Sequence, residues 1–312
     1  MDEPHPELQR MLAEEDELGV PSVAAQTVDA ARRQHEQLAS SDAGPDVERT
    51  WDLEVPSPVA EDPIDLRIYR PGSDGPYPTL LWIHGGGFVL GSLETADAVA
   101  RSLAVETDCV VVSVGYNLAP EHPFPDQPRE CYAALEWTAE HVDTFGGDPD
   151  RIAVGGDSAG GNLAAVAALR ARDDDGPDLD HQLLVYPVTT DAALPSREAN
   201  AEGYGLTTAE MEWFDEKYVR HSVDAANPYA YPLKARDLSG LPPATVITAG
   251  FDPLLDDGVR YAERLDAAEV DVEHLNYEAM IHGFFGMLDL DIDAAHDAIE
   301  RSAARLRDSF GT

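Results

Sequence analysis

Short unbroken apolar runs recur along the chain at residues 79–83, 109–114, 152–154, 183–186 and 244–249. Runs without polar alternation read as strands buried on both faces. The stretches between them, about 95–106, 129–142, the alanine- and leucine-rich stretch from Ala159, and 257–268, read as helices, with an amphipathic helix closing the chain at 294–310. Buried strands alternating with helices predict a parallel sheet covered on both faces. Residues 48–55 and 64–69 instead alternate like half-exposed strands around a proline-rich turn, the pattern of an antiparallel edge. A further strand is predicted at 270–277. Before residue 40 the pattern predicts two helices broken at Gly19-Val20-Pro21, with Leu8, Met11 and Leu12 on the apolar side of the first. Ser40-Ser41-Asp42-Ala43-Gly44-Pro45 reads as a linker.

The alternation of strands and helices fails at 194–235. There Thr207-Thr208-Ala209-Glu210 has the form of a capping box, and Met211, Trp213, Phe214 and Tyr218 crowd the helix that follows. A helical insertion after a core strand is a candidate lid. The expected organisation is a helical cap segment at 1–46, an α/β core at 47–193 and 236–312, and a helical cap insertion at 194–235.

With 312 residues and 43% hydrophobic content the chain can bury the large core these strands require, so it reads as one domain with or without a lid. Sixty acidic residues against twenty-one basic give a net charge of −39, which excludes nucleic acid and anionic membrane surfaces as partners. The apolar strands argue against disorder, so the charge reads as a carboxylate shell around a folded core. Lys217 and Lys234 are the only lysines. Such acidic, lysine-poor chains resemble proteins of high-salt cytoplasms. The acidic start at Met1-Asp2-Glu3-Pro4 has no apolar stretch of a signal peptide, and no run approaches a membrane span, so a cytoplasmic location is expected. Cys109 and Cys131 fall in apolar segments and read as buried free thiols. No internal repeat is present. No histidine pair has zinc-ligand helical spacing, so no metal is expected.

The chemistry is carried by three stretches at the ends of buried strands. Gly156-Asp157-Ser158-Ala159-Gly160 is a G-x-S-x-G turn from strand to helix, which lifts the Ser158 hydroxyl above the sheet. A dinucleotide site is excluded there, because Asp157 occupies the place of the second glycine. His84-Gly85-Gly86-Gly87 follows the strand at 79–83 and lacks the Gly-Lys-Ser/Thr ending of a phosphate loop; the amides of Gly85 and Gly86, with that of Ala159, can bind an oxyanion. His84 itself is expected to shape the loop. Asp252 follows one strand directly and His282 another after a short loop, and Ser-Asp-His is the α/β-hydrolase order of a catalytic triad. Asp252 also reads as a helix N-cap ahead of Pro253, and Asp256, a helical turn further on, is a rival acid.

His84-Gly85-Gly86-Gly87-Phe88, the stretch from Tyr116 to Pro125, Gly156-Asp157-Ser158-Ala159-Gly160-Gly161-Asn162, Asp252-Pro253-Leu254 and His282-Gly283-Phe284 together resemble the hormone-sensitive-lipase-like carboxylesterases, a branch of the α/β-hydrolases. The likeness covers about residues 47–312. It implies an α/β-hydrolase fold with an eight-stranded, mostly parallel sheet, a helical cap and ester hydrolysis without a cofactor. Carried over by motif, Ser158 is the nucleophile, Asp252 the acid and His282 the base, with Gly85, Gly86 and Ala159 as the oxyanion hole. Phe88, Met211, Trp213, Phe214 and Phe285 are the candidate substrate-binding residues. One departure is Asn117, where the family carries an arginine that pairs near the glutamate at the place of Glu121. The expected activity is hydrolysis of short- to medium-chain acyl esters. Amide or N-acetyl hydrolysis uses the same triad, and a non-catalytic small-molecule receptor on this fold is a third reading. The oligomeric state is open, a homo-oligomer included.

Overall fold

The computed structural model describes residues 3–40, 43–290 and 292–312. The first two residues of the acidic start, Ser41 and Asp42 in the expected linker, and Asp291 lie outside the described residues. In chain order the elements are α1 (Pro6–Leu18), α2 (Val28–Ala39), β1 (Arg49–Val55), β2 (Ile64–Arg70), β3 (Tyr77–Ile83), α3 (Asp97–Thr107), β4 (Val110–Gly115), α4 (Asp126–His141), β5 (Gly147–Asp157), α5 (Ala159–Asp173), β6 (His181–Val185), α6 (Pro195–Ala199), α7 (Thr208–Tyr218), β7 (Ala244–Phe251), α8 (Leu255–Ala267), β8 (Val272–Ile281) and α9 (Asp293–Phe310).

Among the described residues the strands form one eight-stranded sheet in the order β1-β2-β4-β3-β5-β6-β7-β8. β1 pairs antiparallel with β2, and β2 with β4, while the remaining pairs are parallel. The burial follows the sequence pattern. Every residue of β3 is buried, whereas β1 exposes alternate positions as an edge strand must. α3 and α9 pack against one face with Leu80, Trp82 and Ile247, and α4, α5 and α8 against the other with Leu81, Val112 and Val246. This is the α/β-hydrolase architecture.

Of the boundaries that differ from the pattern, two have a local reason. α4 begins at Asp126 and takes Pro128 into its first turn, where the missing N–H has no helical partner to lose. β8 runs on to Ile281, because an irregularity between Ala249 and Phe251 lets Phe251 pair with Ile281. The extension carries His282 directly on the strand end, with no intervening loop. The C-terminal ends of the parallel strands share one rim, so the residues after β3, β5, β7 and β8 converge there.

Candidate active site

Ser158 stands between β5 and α5 at φ 54° and ψ −117°, a backbone conformation rare for a residue with a Cβ. Its amide donates to the Val185 carbonyl (2.8 Å) and its carbonyl accepts from the Asn162 amide (3.0 Å), so strand and helix hold the turn from both sides. A Cβ at Gly160 would run into the Ile83 carbonyl, which is why the helix can start so close to β3. The Ser158 side chain is nearly covered, at 8% exposure.

His282 Nε2 lies 2.9 Å from Ser158 Oγ, and His282 Nδ1 lies 2.7 Å from Asp252 Oδ2. A carboxylate only accepts, so Nδ1 carries the proton and Nε2 is left to accept from the serine hydroxyl. Asp252 is fully buried, and its Oδ1 accepts from the Leu254 amide (2.7 Å) at the entry to α8. One carboxylate therefore serves as both turn cap and histidine partner, one oxygen for each. Burial opposes protonation of His282, but the charge and hydrogen bond of Asp252, with Asp157 and Asp257 further off, outweigh it and raise its pKa above the ordinary 6.5. The Tyr186 ring lies 4.6 Å from the imidazole, centre to centre, and limits its rotation.

The glycine loop after β3 presents its amides differently from the expectation. Gly85 donates its amide to Asp157 Oδ1 (2.9 Å), so that N–H is committed to a carboxylate and cannot serve an oxyanion. Gly86 and Gly87 face the cleft beside Ser158. Their φ angles of 109° and 60°, followed by Phe88 at 65°, form a left-handed run that turns the chain at this point. Burial pushes the Asp157 carboxyl up to about 6, opposed by the Gly85 amide and by His282. His84 sits behind the loop, its Nδ1 2.7 Å from the Gly85 carbonyl and its ring stacked on Tyr116. Burial, aided by His35 and opposed by the Gly85 carbonyl, lowers its pKa to about 4, so it stays neutral.

The α/β-hydrolase fold family matches residues 80–286, and a carboxylesterase family matches residues 22–121. Esterase LipI of Mycobacterium tuberculosis is 43% identical over 286 residues, covering 90% of this chain and 88% of that protein. The chain belongs to the carboxylesterases of the α/β-hydrolase fold. LAE6, an α/β hydrolase enzyme from the metagenome of Lake Arreo, Spain, in a serine-to-alanine mutant form, superposes on this esterase with a TM-score of 0.94 at 38% identity, covering all of both chains. The hyperthermophilic esterase of Pyrobaculum calidifontis gives 0.90 at 39% identity, with 98% of each chain covered.

Above Ser158 the esterase has a cleft of about 990 Å³. Its walls come from three places: Gly86, Gly87, Phe88 and Leu90 of the glycine loop, Val188 and Leu194 after β6, and Met211 and Phe214 of α7, closed further out by His35 of α2. Phe88 lies flat on Tyr218, ring centres 3.6 Å apart, which makes Tyr218 the buried backing of that wall. Phe214 approaches Gly87 so closely that a Cβ there would collide with its ring.

Two expected pocket residues are elsewhere. Trp213, one position from Phe214, points about a quarter turn round α7, packs against the small cluster of Ala31, Val89, Leu90 and Ala119, and carries the Lys217 ammonium 3.7 Å above its ring. Phe285 is fully buried below the rim beside Trp82, because the 3-10 turn at Phe284–Gly286 folds it back into the core. Asp256 is also occupied structurally: its Oδ2 accepts from the Ser196 amide (2.9 Å), pinning α6 to α8. Leu194 and Leu206 line the cleft without having been singled out, since they sit in coil where no periodicity marks them.

Where the family arginine is replaced by Asn117, the Asn117 side chain and amide bind the buried Glu130 at 2.7 and 2.8 Å. Glu121 keeps a guanidinium partner all the same, Arg32 of α2, at 2.7 Å. Cys109 and Cys131 are buried free thiols whose pKa values burial pushes well up. Among the described residues no cluster of three or more metal-ligating side chains occurs, and no helix is long and apolar enough to cross a membrane.

Proposed function

We propose that the esterase hydrolyses short- to medium-chain carboxylic esters through an acyl-enzyme on Ser158, with Asp252 and His282 completing the triad. The observation that carries this reading is the unbroken hydrogen-bond chain from Asp252 through His282 to Ser158 at the floor of the cleft. Ser158 Oγ attacks the ester carbonyl while His282 Nε2 takes its proton. The carbonyl oxygen, now negative, lies against the amides of Gly86, Gly87 and Ala159. Collapse breaks the ester C–O bond, and the departing alkoxide takes the proton back from His282. Water then repeats the sequence on the acyl-enzyme, releasing the acid and restoring Ser158. Asp252 holds the tautomer and stabilises the imidazolium throughout.

Residues 1–46 and 194–235 act as the cap over this site, and Phe88, Met211 and Phe214 as its acyl-side wall. An organophosphate should label Ser158, and Ser158→Ala should lose about a thousandfold or more in turnover while melting like the parent. Labelling elsewhere, or a Ser158→Ala enzyme with parental turnover, would refute the assignment. Matched ester and amide substrates separate esterase from amidase chemistry.

A further inference from the structure

Arg32 lies far from the triad in sequence, on α2, yet its guanidinium reaches the back of the glycine loop. Its Nε donates to the Val89 carbonyl at 2.9 Å and its Nη2 to the Ala119 carbonyl at 2.9 Å. Nη1 and Nη2 also donate to the two oxygens of Glu121 at 3.0 and 2.7 Å. These contacts tie three segments together. Val89 is one residue beyond Phe88, whose carbonyl accepts from the Ala119 amide (2.9 Å) and from the buried Gln127 side chain (2.8 Å). The amides of Val89 and Leu90 in turn both donate to the Gly86 carbonyl. Beneath the guanidinium, Ala31, Val89, Leu90 and Ala119 form a small apolar cluster of their own.

The loop needs such a tether. Three successive residues, Gly86 to Phe88, sit at positive φ, and Phe88 does so with a full side chain, which costs about 1–3 kcal/mol unless its surroundings over-determine it. Neither a strand ladder nor a helix holds this stretch. An oxyanion hole works only if its donors are fixed before charge develops, and an error of about 1 Å can cost about a hundredfold in rate.

We infer that Arg32 is a positioning residue for the oxyanion amides, through which the N-terminal segment sets the geometry of the glycine loop. The inference rests on the esterase reading above. Lysine cannot replace Arg32 fully, because a single ammonium cannot reach two carbonyls and a carboxylate with the fork of a guanidinium.

The test compares Arg32→Gln, Arg32→Lys and Ser158→Ala with the parent, using one p-nitrophenyl ester and an alkylboronic acid, which binds Ser158 as a tetrahedral adduct. Arg32→Gln should lower kcat about tenfold or more and weaken boronate binding by a similar factor, with KM within about twofold. Arg32→Lys should fall between it and the parent, and should still be measurable if Arg32→Gln fails to fold. A purely structural arginine predicts a lower melting temperature with kcat and boronate affinity of the folded enzyme unchanged in both variants, and that result overturns the inference. If Ser158→Ala turns over like the parent, the esterase reading fails instead. If Ser158 is essential and the Arg32 variants match the parent, only the role of Arg32 fails.

Discussion

The rim of the sheet and the helices that wall the cleft above it hold their residues by different means. At the rim, Ser158, Asp252 and His282 each stand within a residue of a strand end; backbone hydrogen bonds fix Ser158, full burial fixes Asp252, and Asp252 in turn holds His282. Above it, α1, α2 and α7 meet through side chains. Ser22 Oγ donates to Glu210 at 2.8 Å, Val23, Val28 and Trp213 pack on one small apolar cluster, and Arg32 reaches Glu121. Some of these contacts oppose one another: Glu15 of α1 has a raised pKa, from burial first and the nearby charge of Glu210 second. The rim is therefore built from constraints of the chain itself, and the upper wall from long-range pairings. Chemistry should be sensitive to single atoms at the rim, and selectivity to side-chain volume above it.

The largest expected effect tests the rim. Asp252→Asn keeps the size of the side chain and removes the charge that orients His282, so kcat should fall about ten-thousandfold by analogy with other triads. The pH profile of the parent adds a second reading. On the proposed mechanism activity needs neutral His282, and its pKa is raised above the ordinary 6.5, so activity should fall as pH drops through a value higher than that of a free imidazole. Stability runs the other way: a raised histidine pKa contributes stability fully below the unfolded value and loses it as pH rises through the folded one. In Asp252→Asn the residual acid limb should move to lower pH, since burial then acts without its main opponent. Parental turnover and an unmoved limb in this variant would show that another group orients His282.

The difference between rim and wall also explains what could be read before any coordinates. The strand-end motifs point to Ser158, Asp252 and His282, which meet within hydrogen-bond reach, because a nucleophile elbow and a strand-end histidine are local patterns. Gly85 was misassigned for a physical reason: which amides of the glycine loop are free depends on the Asp157 carboxylate, a partner 72 residues away. Trp213 and Phe214 could be recognised as one apolar cluster, but that Phe214 rather than Trp213 lines the cleft depends on how α7 docks, which no helical period marks. Arg32 gave no signal, since its partners are carbonyls and carbonyls carry no sequence mark. The full reach of β8 was hidden by Glu278 inside an otherwise apolar strand end.

A middle-sized effect tests the wall. Each buried methylene contributes about 0.8 kcal/mol, about fourfold in specificity per carbon until the acyl chain meets Met211 or Phe214. Phe214→Ala and Met211→Ala should move the drop in kcat/KM to longer acyl chains and leave acetyl esters almost unchanged. Trp213→Ala should leave the chain-length profile alone and lower the melting temperature, because it removes the contact with Lys217 and the packing on the cluster of Ala31, Val89, Leu90 and Ala119. If Trp213→Ala shifts the profile and Phe214→Ala does not, the wall has been assigned to the wrong side of α7.

The smallest effect tests whether like charges weaken the upper wall more than the rest of the molecule. With a net charge of −39, the whole protein should melt at lower temperature when salt falls from about 1 M to about 0.01 M, where the Debye length grows from about 3 Å to about 30 Å. An unchanged melting temperature would remove the case for a salt-adapted carboxylate shell. Within that general response, Glu15 is in an unfavourable place. A carboxyl whose folded pKa is raised is destabilising when ionised, and the cost disappears as pH falls through that pKa. Glu15→Gln removes the charge at every pH, so at neutral pH it should raise the melting temperature by about 1–2 °C in low salt, with little gain in high salt. Glu300→Gln, which removes one exposed carboxylate from α9, changes the net charge equally without touching the α1–α7 contact. A larger gain for Glu15→Gln locates the strain between the cap helices. Equal gains would mean that the charge acts on the molecule as a whole and that the upper wall is no weaker than the rim.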